Sequence, residues 1–173
     1  MDAAVSLMRF FTSAWRDGDL SDDDYEQACV AYDRRLDDIH DVLPAKLSEF
    51  IATVSLHDAE VRLARAQRDG TFRLGLRAGD QQRGYVDVDL TYEGVEALEG
   101  VPSIRRVLNR SDVEVVRDEV DVASPPDGFE HRLLFAPEGE ILVRFKNFDF
   151  VVTPAASREF KRHDPVFIDA EEM

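Results

Sequence analysis

The chain has 173 residues and is 44% hydrophobic and 33% charged with only 9 Gly and 7 Pro, which excludes collagen-like, low-complexity and wholly disordered classes. Its 36 acids against 21 bases leave a formal charge of −15, the wrong sign for counterion-release binding to nucleic acid or for docking on anionic lipid. A lone cysteine, Cys29, rules out an internal disulfide or a thiolate-rich zinc site, and no apolar run approaches the ~20 residues of a membrane helix.

The opening residues Met1 to Val5 carry no basic stretch ahead of an apolar one, so no signal peptide is expected and the protein reads as soluble and cytoplasmic. Leu7, Phe10, Phe11, Ala14 and Trp15 recur at helical spacing before Gly18, predicting one short helix. Ser21 followed by Asp22, Asp23 and Asp24 predicts an N-cap with acids in the first turn, where they favour the positive end of the helix dipole. From there Tyr25, Cys29, Tyr32, Leu36, Ile39 and Leu43 step by fours and threes, an apolar seam made to lie on another surface. We expect Tyr25, Cys29, Tyr32, Leu36 and Ile39 to pack on the sheet, near Val86, Val88 and Leu90 or their neighbours. Pro44 ends this helix and opens another whose face is Leu47, Phe50, Ile51 and Val54.

After about residue 59 the period changes to two. Val61 and Leu63, then Phe72, Leu74 and Leu76, then Val86, Val88 and Leu90 alternate with polar or small residues, the mark of half-buried strands. Asp69-Gly70 predicts a tight hairpin, and Ala78 to Gly84 a longer turn. Residues 94–111 read as a connection with one or two helical turns. Further strands are predicted at Val113 to Val122, His131 to Ala136 and Glu140 to Val152. In the last, Ile141, Val143 and Phe145 have one parity and Phe148, Phe150 and Val152 the other, which a bulge near Lys146-Asn147 would reconcile. The expectation is one α+β domain over 1–173: helices over 1–58 packed on one face of an antiparallel sheet of about six strands over 59–153, and a frayed tail over 154–173.

The stretches Leu56 to Val61 (LHDAEV), Gly79 to Val95, Val116 to Val122 (VRDEVDV) and Phe129 to Phe145 keep the order of a bacterial family of uncharacterised proteins, a domain of unknown function, which this chain resembles over roughly residues 8–154. The resemblance implies a helical start, an HD pair and then a sheet, and implies no activity, cofactor or catalytic residue. Where such sequences carry aromatic residues, this chain has Arg117 and Ala136.

Two readings of function follow from the residues. His57 and Asp58 at the helix–strand junction, with His131 and the acids Asp118, Glu119 and Asp121, are the residue types of a divalent-metal site that activates water, as in a small metal-dependent hydrolase. No ligand spacing such as HExxH supports it, and capping of loose backbone groups is the plainer role for His57 and Asp58. The serines lack a GxSxG elbow, the glycines form no phosphate cradle, and no cofactor is indicated. Cys29 reads as an inert buried thiol on the seam, and His40 and His163 as surface residues.

The acids are unevenly placed. Residues 1–60 hold 14 acids and 5 bases against 22 and 16 in 61–173. Asp22, Asp23, Asp24, Glu26, Asp33 and Asp37 crowd the second helix, forming either a solvated face or a docking surface for a basic protein. The second reading is a non-catalytic interaction module, such as an immunity protein or inhibitor that covers a basic cleft. Direct nucleic-acid and membrane partners are not expected, and the sequence leaves the oligomeric state open.

Overall fold

Ser21 caps the long helix as expected: its hydroxyl accepts the Asp24 amide at 3.2 Å, and the chain then runs helically over Asp22–Ile39. This computed structural model describes residues 6–100, 105, 110, 112–124 and 128–161. The helices are α1 (Ser13–Asp17), α2 (Asp22–Ile39) and α3 (Ala45–Thr53), the last entered through Pro44. Gly18 ends α1 at φ 74°, a left-handed conformation that glycine adopts without a Cβ clash. The strands are β1 (Ala59–Ala66), β2 (Phe72–Asp80), β3 (Gly84–Glu93), β4 (Ala97–Glu99), β5 (Glu114–Val122), β6 (Phe129–Ala136), β7 (Glu140–Phe145) and β8 (Asn147–Ala155).

All pairings are antiparallel in the order β4-β7-β6-β5-β1-β2-β3-β8, so the fold is α+β with eight strands rather than about six. The two ends of that order are joined by the chain itself. β3 runs on through Gly94 into β4, and β7 runs through Lys146 into β8. Bonds from Lys146 N to Glu93 O (3.0 Å) and from Glu96 N to Arg144 O (2.9 Å) carry the pairing across both bends. Counting each bent pair as one long strand gives six strands whose pairings form a ring. Its interior is one apolar cluster drawn from every strand but β4, with Tyr92, Phe72, Phe135 and Phe145 fully buried.

Four expectations are corrected. Residues 140–152 are not one bulged strand; the parity change at Lys146 is a bend that sends β7 to β6 and β8 to β3. The apolar spacing at the N-terminus does not make a helix before Ser13: residues 6–11 lie as a strap tied to side chains of β5 and β7. Glu119 accepts the amides of Arg9, Phe10 and Phe11 at 2.7–2.9 Å, and Glu140 accepts that of Leu7 at 2.6 Å. The α2 seam does not reach Val86, Val88 or Leu90. Tyr25, Cys29 and Tyr32 pack with Met8, Phe11, Trp15 and Leu134 in a second cluster on the outer side of the ring. The Ala78 to Gly84 turn is shorter than expected, because β2 pairs through to Asp80↔Gly84 and leaves three residues between the strands. At its end Gly79 sits at φ 105°, where a Cβ would meet Gly84 O at 2.1 Å.

α3 belongs to the interior instead. Its Phe50 ring meets His131, Phe148 and Phe150 at 5.2–5.7 Å between centroids. Beyond β8, Arg77 donates to the carbonyls of Ser157 (2.5 Å) and Glu159 (2.9 Å), so the first part of the tail is held rather than frayed. The expected helical turns within 94–111 and the tail after residue 161 lie largely outside the described residues. Among those described, no helix is long and apolar enough to cross a membrane.

Candidate functional site

β5 carries most of the singled-out acids, and the pleat divides them. Asp118 pairs with Leu133 in register and faces inward, whereas Glu119 and Asp121 face the strap and α2. His131, on β6 beside Val120, also faces inward and is fully buried. Its Nε2 lies 2.9 Å from Asp118 Oδ2 and its Nδ1 lies 2.7 Å from the hydroxyl of buried Tyr92. Burial, reinforced by the charge of Asp118, pushes the Tyr92 phenol well above its ordinary range, so the hydroxyl keeps its proton. A carboxylate only accepts, so Nε2 carries a proton, and in the tautomer that leaves Nδ1 bare the Tyr92 hydroxyl donates to it. A Tyr92–His131–Asp118 chain thus crosses the interior with every inner group satisfied.

That chain ends at a cleft. Asp118 is the one member that reaches solvent, its side chain 26% exposed, in an opening of about 310 Å³ between α2, α3 and β5. The opening exists because β1 and β5 pair only at Ala59↔Val115 and Glu60↔Glu114, leaving Val116 to Asp118 along a free strand edge. Tyr32 of α2 partly closes that edge by accepting the Val120 amide at 2.7 Å. Its phenol is raised by burial and by Asp118. Cys29 is not fully buried, as the sequence implied, but lines this cleft at intermediate exposure.

His57 and Asp58 sit at the rim where this cleft meets a larger one, about 920 Å³, between α3, β8 and the β2–β3 turn. His57 Nδ1 and Asp58 Oδ2 are 2.9 Å apart and more than half exposed. The Asp58 amide donates to Val115 O at 2.8 Å from a backbone at φ 60°, a conformation aspartate tolerates better than most residues. His57 and Asp58 are therefore not joined to His131 in one site: His131 is inside, with both ring nitrogens already bonded. No group of three or more His, Cys, Asp or Glu among the described residues could hold a metal ion.

Glu119, Asp121 and Glu130 do structural work on the outer side. Besides the three strap amides on Glu119, Arg35 Nε and Nη2 reach Asp121 Oδ1 at 2.9 and 2.6 Å, and Arg9 pairs with Asp121 and, at 3.4 Å, with Glu130. Arg144 bonds Glu130 at 2.7 and 3.1 Å, which raises its guanidinium further. These contacts fasten the strap and the inner side of α2 to the ring.

The outer side of α2 is different. Asp22, Asp23, Asp24, Glu26, Asp33 and Asp37 are all exposed. Asp23, Glu26, Val30, Asp33 and Asp37 step by three, four, three and four, so they form one stripe beside the seam, with Asp33 on the border where it also reaches the cleft. None of the four carboxylates accepts a hydrogen bond or forms an ion pair with a described residue. Val30 is 40% exposed and, with Ala31, floors a shallow groove flanked by Asp23, Glu26 and Arg34.

The missed participant is Tyr92. Its parity follows Val88 and Leu90 into the core, so a hydroxyl was due to be buried there, and His131 shares its parity with Leu133 and Phe135. Two polar tips at inward positions signal a buried bond, but which strands would bring them together is a matter of tertiary pairing. No family model matches the chain, and searches of curated proteins and of solved structures return no match.

Proposed function

We propose that this protein is a non-catalytic interaction module that docks a basic protein on the outer side of α2. The observation that carries the reading is the stripe of unpaired acids around exposed Val30, on a helix whose opposite side is pinned by Arg35 and Tyr32. An apolar centre with a charged rim is a common arrangement of interface energy, and a fixed field of one sign steers an oppositely charged partner. An inhibitor or immunity protein that covers a basic cleft fits this chemistry. The metal-dependent hydrolase reading finds no support in the geometry of His57, Asp58 and His131.

The test compares wild type with Asp22→Lys/Asp23→Lys/Glu26→Lys as bait in native lysate, then measures association of the captured protein against salt. The reading predicts a basic partner lost by the variant and an association rate that falls steeply as the Debye length shrinks below about 8 Å. A partner held equally by both baits, or an association rate indifferent to salt, contradicts it.

A further inference from the structure

We infer that the cleft between α2, α3 and β5 is a binding site for a small organic cation, an ammonium on an apolar body, with Asp118 as its counter-ion. Asp118 spends Oδ2 on His131, while Oδ1 accepts no hydrogen bond from any described residue. The carboxylate is thereby oriented by a buried chain, and its side chain, 26% exposed, lines the opening. An ammonium supplies a partly buried carboxylate with both further donors and the opposite charge.

The walls fit the rest of such a ligand. Tyr32 and Phe50 line the cleft on the way to Asp118 together with Leu36 and Ile51, whereas the ring of Phe11, also at the lining, already faces the Arg117 guanidinium. Rings of this kind attract a cation through their quadrupole. Asp33 at the lining adds a second negative charge. Arg117 also borders the cleft, but it is on the opposite side of the strand from Asp118, its guanidinium 5.3 Å from the centroids of Phe11 and Trp15. An anion would meet the charges of Asp118 and Asp33, and no group of three or more His, Cys, Asp or Glu among the described residues is placed to hold a metal ion. The volume, about 310 Å³, lies at the lower end of ligand pockets, which selects a small molecule over a peptide.

The site is separate from the groove around Val30, so it stands or falls independently of the docking reading. The probe is phenethylammonium, with phenethyl alcohol and phenylacetate as neutral and anionic controls, titrated against full-length protein by calorimetry and by NMR of the imidazole nitrogens. Saturable millimolar binding of the ammonium is expected, with shifts at His131 and affinity roughly tenfold above either control. Asp118→Asn, which keeps an acceptor for His131, should weaken binding by about the same factor. Leu36→Trp should block it by filling the cleft while leaving the carboxylate in place. Absence of saturation with wild type, equal binding of phenylacetate, or unchanged binding by both variants overturns the proposal.

Discussion

Tyr92 and Glu119 show how single polar groups are accommodated at depth. Tyr92→Phe removes the donor to His131 Nδ1 and leaves a buried acceptor unpaired, so it should cost about 1–3 kcal/mol in urea unfolding. A loss near zero would mean the ring nitrogen finds another donor. Glu119 accepts three consecutive strap amides. Glu119→Ala should destabilise by on the order of 3 kcal/mol, and the amides of Arg9, Phe10 and Phe11 should lose hydrogen-exchange protection first. Uniform loss of protection across the sheet would instead assign Glu119 to global stability. At this scale the sequence was a poor guide: it marked His131, Asp118 and Glu119 as chemically capable, yet the pleat puts neighbours Asp118 and Glu119 on opposite sides with unrelated duties.

At the scale of elements, α2 and α3 differ in what they bury. Phe50 of α3 is 1% exposed among ring partners, so Phe50→Ala should cost about 3–5 kcal/mol. Leu36 of α2 lies half-exposed on the cleft, and its truncation should cost less than about 2 kcal/mol by the same measure. Ser21→Ala should remove about 1 kcal/mol through the lost cap, and Ser21→Gly only a few tenths. Local chemistry of this sort could be read directly: Ser21 before three aspartates, Pro44 before Ala45, and the alternation of Phe72, Leu74 and Leu76 each dictate structure within a few residues. The strap and β8 could not. Apolar residues at 7, 10, 11, 14 and 15 bury themselves as well from a strap followed by one helical turn as from a helix, and what decides is a glutamate over a hundred residues away. Likewise a parity change at Lys146 describes a bulge and a bend equally, since either moves every later side chain to the other face.

Across the whole molecule, charge and fold are segregated. The arginines at 62, 77 and 158 are paired with acids on the outer side of the ring, whereas the stripe carboxylates of α2 have no partner among the described residues. Exposed charges contribute little to folding, so Asp22→Lys/Asp23→Lys/Glu26→Lys should leave the melting temperature within a few degrees of wild type while altering association. A large fall would show that the helix dipole depends on these acids for the stability of α2. The ring closes on itself everywhere through long ladders except between β1 and β5, where, among the described residues, two residue pairs, the Asp58–Val115 bond and the Arg158 guanidinium bridging Glu60 and Glu114 make the join. That join is the shortest ladder in the ring, so the wall has least to break there before it parts. Breathing there would widen the way to Asp118 and set how fast small molecules enter and leave, making the Asp58 amide a reporter whose deuterium uptake slows whenever the cleft is filled.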